Sequence, residues 1–251
     1  MIVLLILIIC LCCVHLRKKA QKKAQIISSV TALSRGEWSE RELIYELVQS
    51  CGIPANTIFH DLYVPYKGGY SQIDLVVPTS VGMFVFEVKD FGGWIFGNAR
   101  NEKWTQVLAY GQEKHQFYNP LKQNEGHIAA LKGVLPQLQN VPIFSVVVFY
   151  GSSEIRDVSG VPVNSFVIYP SQVNKLIKNI KTNLPPAPYV DKWEVMRVLK
   201  SAVENGANPN IVQAQRQRAK VASYGKYWST YNYKPRFIRR FKMGSHNRRF
   251  I

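Results

Sequence analysis

The sequence predicts an α/β domain built on a mixed β-sheet flanked by helices, with an apolar helix before it and a basic tail after it. Three observations carry that prediction. Helical and strand-like apolar patterns interleave along the chain in the order helix, three or four strands, helix, strand, strand, helix. Residues 142–150 form a continuous apolar run whose length suits only a buried strand. The charge is unevenly placed. Of 251 residues, 32 are Lys or Arg and 16 are Asp or Glu, a net charge of +16. Five of the positive charges lie between Arg17 and Lys23 and eleven lie in residues 216–251, with no acid in either segment. The body between them is formally neutral, which excludes a uniformly basic protein of the histone type.

At 47% hydrophobic and 12% aromatic residues the chain can bury a sizeable core, so wholesale disorder is excluded. Cys10, Cys12 and Cys13 share the N-terminal apolar run and Cys51 stands alone. No C-x-x-C pair exists to suggest a zinc ribbon, and the usage fits a reducing compartment.

Residues 1–16, MIVLLILIICLCCVHL, carry no charge, and RKKAQKK follows them. A cleaved signal peptide has the opposite order of charge and apolar run. The expectation is a single transmembrane helix within residues 1–24, lengthened by snorkelling lysines, with its basic flank and all that follows in the cytoplasm. Cys12 and Cys13 read as part of that packed helix before they read as lipidation sites. Residues 25–35 are a juxtamembrane linker or a continuation of the helix.

Leu43, Ile44, Leu47 and Val48 set a helix over 37–50, stopped by Gly52 and Pro54. An extended segment over 57–65 leads to the turn signal Lys67-Gly68-Gly69, then strands over 70–77 and 83–88. Further strands are expected at 94–96 and 103–107. Asn119-Pro120 reads as a helix entry, with Asn as cap and Pro in the first turn. After the 142–150 strand come a strand over 163–169 and a helix over 172–181. Pro185, Pro186 and Pro188 form a stiff connector to a helix over 191–204, so that 183–215 reads as connector plus helix.

Chemistry concentrates in Glu40, Asp74, Glu87 and Lys89. Glu87 and Lys89 are two apart on an otherwise apolar strand, so both point to one face, where either alone would be costly to bury. If the 70–77 and 83–88 strands pair, Asp74 can lie beside Glu87. Two carboxylates so close call for a cation, for which a hard divalent ion is the usual answer. By residue type alone an E-x-K on a strand is more often a solvated or salt-bridged pair than a catalytic one.

The stretch from Gly36 to Leu131 resembles a NERD domain, the nuclease-related domain, a family similar to the PD-(D/E)XK endonucleases. The matching residues are Gly36 and Glu40 in RGEWSEREL, Gln72-Ile73-Asp74, and the strand Gly82 to Lys89. Gly92, Gly93, Gly97 and Trp104 follow, then Asn119-Pro120-Leu121 with Gln123 and His127. Ser39 replaces a small glycine of the family pattern, and Ile73 stands where the superfamily motif has its proline. The resemblance implies a restriction-endonuclease-like fold over 36–182, best matched over 36–131. It implies that Asp74, Glu87 and Glu40 hold Mg²⁺ or Mn²⁺, that Lys89 assists the attacking water, and that Gln123 supports the site. The implied activity is metal-dependent hydrolysis of phosphodiester bonds in nucleic acid, DNA ahead of RNA, at the cytoplasmic face of a membrane. The alternative is a non-catalytic module that keeps the fold and tethers nucleic acid or a protein partner there.

His60, His115 and His127 show no metal-ligand spacing, and His127 reads as a packing or hydrogen-bonding residue. Gly68-Gly69 and Gly92-Gly93 lack the Lys-Ser/Thr of a phosphate loop. The tail, 216–251, interleaves its eleven positive charges with eight aromatic residues. That pattern suits single-stranded nucleic acid and an anionic lipid surface alike.

Overall fold

The computed structural model describes residues 2–218. The chain divides into residues 1–215 and 216–251. The expected basic aromatic tail therefore lies outside the described residues, apart from its first three positions.

Five strands form one sheet in the order β1-β2-β3-β7-β9. These are β1 (Phe59–Tyr66), β2 (Gly69–Thr79), β3 (Gly82–Asp90), β7 (Ile143–Tyr150) and β9 (Ser165–Ile168). β1, β2 and β3 pair antiparallel, while β7 runs parallel to β3 and to β9. The expected mixed sheet is present. Its central strands are apolar on both faces because helices cover both. One face meets α2 (Trp38–Gln49) and α4 (Pro170–Asn183), where Leu43, Leu47, Val173 and Ile177 pack on Leu75, Phe84 and Phe86. The other meets α3 (Pro120–Val134) and α5 (Lys192–Gly206), where Leu131, Val195 and Leu199 pack on Leu62, Val76 and Val85.

A second sheet, in the order β6-β5-β4-β8, was not expected as a separate layer. It comprises β4 (Gly93–Asn98), β5 (Lys103–Leu108), β6 (Glu113–Tyr118) and β8 (Ser153–Ser159). β6 is almost wholly exposed and lacks an alternating apolar pattern. On β8 an extra residue between the partners of Ile95 and Phe96 breaks the period of two. Trp104, fully buried, anchors this sheet against Phe149 of β7, with their rings stacked.

α1 runs from Ile2 to Ser28, so the apolar run and the basic flank form one continuous helix. Among the described residues no helix is long and apolar enough to cross a membrane. The apolar run ends at Leu16, and Arg17, Lys18 and Lys19 follow at once. The spanning helix expected from residues 1–24 is thus not supported. What the structure has instead is a helix with exposed apolar side chains, Leu11 at 68% and Leu16 at 63% among them.

Candidate functional site

The site forms where the β2–β3 ladder stops. Pairing runs from Thr79↔Gly82 to Leu75↔Phe86 and goes no further. At the next position the Val88 backbone N–H turns to a side chain and donates to Asp74 Oδ2 at 2.7 Å. Asp74 therefore closes the ladder and stands next to Glu87, as the pairing argument anticipated.

The neighbouring strand bends at the same level. Asp61 sits in left-handed backbone conformation at φ 53°, between the pairs His60↔Leu75 and Leu62↔Ile73 and so across from Asp74. Both strands switch faces here. Phe59 and Leu62 share one core with Ile73 and Val76, a step of three where a regular strand steps by two. Asp tolerates this conformation better than most residues. Arg35 holds it by donating from Nε to Asp61 Oδ2 at 3.0 Å and from Nη2 to the Asp61 carbonyl at 2.9 Å. Arg35 also donates to the Val203 carbonyl at 3.3 Å, which ties α5 to the same point.

Glu87 and Lys89 project toward α3. Lys89 Nζ donates to Glu87 Oε1 at 2.5 Å and to Gln123 Oε1 at 3.1 Å. Glu87 Oε2 lies 3.1 Å from His127 Nε2, which must carry the proton because a carboxylate can only accept. His127 Nδ1 lies 2.7 Å from the Ser71 hydroxyl. Gln123 and His127 are four apart on α3 and so share one helix face. Asn119 sets that helix by accepting from the Leu121 N–H.

Glu40 enters from the opposite side of the sheet, in the first turn of α2. Its Oε2 lies 2.8 Å from His60 Nε2, while His60 Nδ1 meets Thr31 Oγ1 at 2.9 Å. Gly36, at φ 67°, packs directly on Glu40 and His60, and a Cβ there would collide with both. This explains in steric terms why a glycine precedes the helix.

Electrostatics separate the two neighbouring acids. Burial, together with the charges of Glu87 and Glu40, pushes the Asp74 carboxyl well above the usual aspartate range. Burial acts the same way on Glu87, but the Lys89 ammonium and the His127 hydrogen bond outweigh it, and the carboxyl is held below its ordinary value. Burial, the largest single influence, lowers Lys89, but the charge and hydrogen bond of Glu87 with the charges of Asp74 and Glu40 together outweigh it and raise it, so Lys89 remains an ammonium at neutral pH.

Of the five residues expected at the site, Lys89 hydrogen-bonds both Glu87 and Gln123. Asp74 flanks them, and Glu40 acts on them through its charge. Among the described residues no three His, Cys, Asp or Glu side chains stand close enough to hold a metal ion as placed. The donor chemistry nevertheless fits one. The set is all carboxylate oxygen, the type Mg²⁺ and Mn²⁺ prefer, and a dication would offset both the burial and the like charges that raise Asp74. Sequence reasoning gave no site role to Ser71, His60, Asp61 or Arg35. The signal available was His60-Asp61, two polar residues inside a strand that is otherwise apolar up to Val64.

Comparisons with known proteins bear on the segment of the chain that carries this cluster. Residues 35–150, from the arginine that holds Asp61 to the end of β7, match the family model of NERD, the nuclease-related domain. An uncharacterized protein of Bacillus anthracis is 31% identical over 118 residues, covering 47% of this chain and 53% of that protein. The chain thus spans about half the length of the curated relative it matches. No solved structure gives a significant match.

Proposed function

We propose that the chain is a metal-dependent nuclease that hydrolyses phosphodiester bonds, with Asp74, Glu87, Lys89, Glu40 and Gln123 as its working residues. The observation that supports this is a second buried acid, Asp74, beside the Glu87 carboxylate, with an ammonium held by Glu87 and Gln123. The Glu87–Lys89 ion pair by itself does not call for that second acid, which is buried among like charges.

A divalent cation held by Asp74, Glu87 and Glu40 would supply an activated water and offset charge on the phosphate. The chain's own residues do the positioning. Lys89, being protonated, donates hydrogen bonds to the attacking water or to a phosphate oxygen and does not act as a general base. Gln123 fixes where that ammonium points. His127 and Ser71 orient Glu87, and His60 orients Glu40, much as hydrogen-bonded neighbours steady ligating carboxylates elsewhere.

The proposal places the chain at a membrane through α1. Leu5, Ile6, Ile8, Ile9, Leu11, Val14 and Leu16 are exposed there, and the lysines that follow suit the cytoplasmic headgroup region. The nuclease-like domain then faces the cytoplasm, and the basic tail serves substrate capture.

The deciding test incubates the full chain with double- and single-stranded DNA and with RNA, with Mg²⁺ or Mn²⁺ and with EDTA. Wild type is expected to cleave only with metal, and Glu87→Ala and Lys89→Ala to lose at least about a hundredfold in rate. Equal cleavage by wild type and both variants would overturn the assigned roles.

A further inference from the structure

A separate cavity of about 330 Å³ lies at the far end of the same strands, beside the β2–β3 turn. Gly82 is five residues from Glu87 along β3, a separation of roughly 16 Å at the rise of a strand. The cavity is closed on one side by the proline connector, where the Ala187 N–H donates to the Ser80 carbonyl at 2.7 Å, and on another by α5. No part of it is used by the nuclease-like site.

Its chemistry is divided. Pro54, Pro78 and Met196 contribute apolar wall. The Tyr189 hydroxyl is buried without a hydrogen-bond partner of normal geometry, and the Thr79 backbone is the one polar group acting on it. A buried hydroxyl left this way costs free energy that a ligand accepting its proton would recover. Lys181 and Lys192 line the mouth from α4 and α5, and neither forms an ion pair among the described residues. No carboxylate lines the cavity. Two exposed lysines in the lining of a largely apolar hollow, with a buried hydroxyl lacking a well-formed hydrogen bond, favour an anion with an apolar body.

We propose that this cavity binds a small amphipathic anion: an apolar or aromatic body received between Pro54, Pro78 and Met196, a polar edge that bonds Tyr189, and a phosphate or carboxylate held by Lys181 and Lys192. A mononucleotide and a medium-chain fatty acid share this chemistry. The volume suits a ligand of that size and is at the small end for binding pockets.

The test is calorimetric titration of the full chain in EDTA, so that no metal site takes part, with AMP, octanoate and inorganic phosphate in turn. Binding of AMP or octanoate is expected, and the one that binds identifies the body. Phosphate alone is expected to bind at least about tenfold more weakly. Tyr189→Phe should weaken binding about fivefold while leaving the fold intact, because its hydroxyl gives up at most the poorly formed Thr79 backbone contact. The double variant Lys181→Ala, Lys192→Ala should weaken it about tenfold or more. Glu87→Ala should bind as wild type does, which separates this cavity from the nuclease reading. The proposal is overturned if neither organic ligand binds, if phosphate binds as tightly as they do, or if the lysine variant leaves affinity unchanged.

Discussion

Asp74 and Glu87 are neighbours with opposite dependence on pH, and the signs follow from their partners. Glu87 is held below the ordinary glutamate value of 4.5, so its contribution to stability is present above that value. It is lost as pH falls through the lowered folded value. Glu87→Gln should therefore cost about 3 kcal/mol at pH 7, the cost of stranding buried Lys89, and progressively less in acid. Asp74 is raised, so its contribution is present below about 3.8 and is lost as pH rises through the folded value. At pH 7 keeping this acid buried, ionised or protonated, opposes folding, and Asp74→Asn should raise the melting temperature there while abolishing metal-dependent cleavage. Denaturation curves from pH 3 to 8 check both, and a destabilised Asp74→Asn at neutral pH would refute the electrostatic account. The residues of this cluster were legible where their type conflicts with their surroundings: a carboxylate and an ammonium inside an apolar strand. His127 read as a packing or hydrogen-bonding residue, though not its partners, while Ser71 and Arg35 were not legible, because each acts across a large sequence separation. Ser71 and His127, for example, are 56 positions apart and meet at 2.7 Å.

At the scale of elements, the face switch at Asp61 and Asp74 matters most, since it turns the ladder's last pair into an open edge lined by polar groups. α5 helps hold that switch. Arg35 joins Asp61 to the Val203 carbonyl, and Asn205 donates to the Tyr63 carbonyl at 3.0 Å. Leu199, fully buried against β1, is part of the same core. Leu199→Ala should destabilise the fold by about 2–5 kcal/mol, measurable by urea denaturation, and should loosen the site with it. The second sheet depends on one close contact. Gly97 lies against the Trp104 indole, which a Cβ would strike. Gly97→Ala should cost about 1–3 kcal/mol of stability through overpacking, with a melting temperature as readout. β2, β3, β7 and the helices could be read from periodicity because each buries a regular face. β6 and β8 could not, since one buries almost nothing and the other is bulged.

Over the whole molecule, the +16 charge is carried by the ends and the nuclease-like body is neutral. If the proposed nuclease function holds, such a body would draw nucleic acid weakly by long-range attraction, and the proposal gives capture to the tail. Removing residues 216–251 should weaken DNA binding and flatten its salt dependence, while cleavage at saturating substrate is kept. Filter binding from 50 to 300 mM salt measures this, and an unchanged salt slope would remove the tail from substrate capture. At the other end, vesicles containing an anionic lipid should float with the full chain and not with a chain lacking residues 1–16. Flotation of both, or of neither, would leave α1 without its proposed role.

The sequence by itself determined the α/β class, the placement of charge, most of the elements, and the acids and lysine that need partners. Each of these follows from local spacing or from the cost of burying a charge. Only the tertiary structure decided that the strands form two sheets, that Asp61 and Arg35 bend the strand beside Asp74, and that Lys89 is pinned between Glu87 and Gln123. It also showed that the apolar run and its basic flank form one helix, and among the described residues no helix is long and apolar enough to cross a membrane. The physical reason is common to the first three. Pairing between strands, and hydrogen bonds between side chains far apart in the chain, are won by the geometry of packing. Local composition records that geometry only where burial is regular.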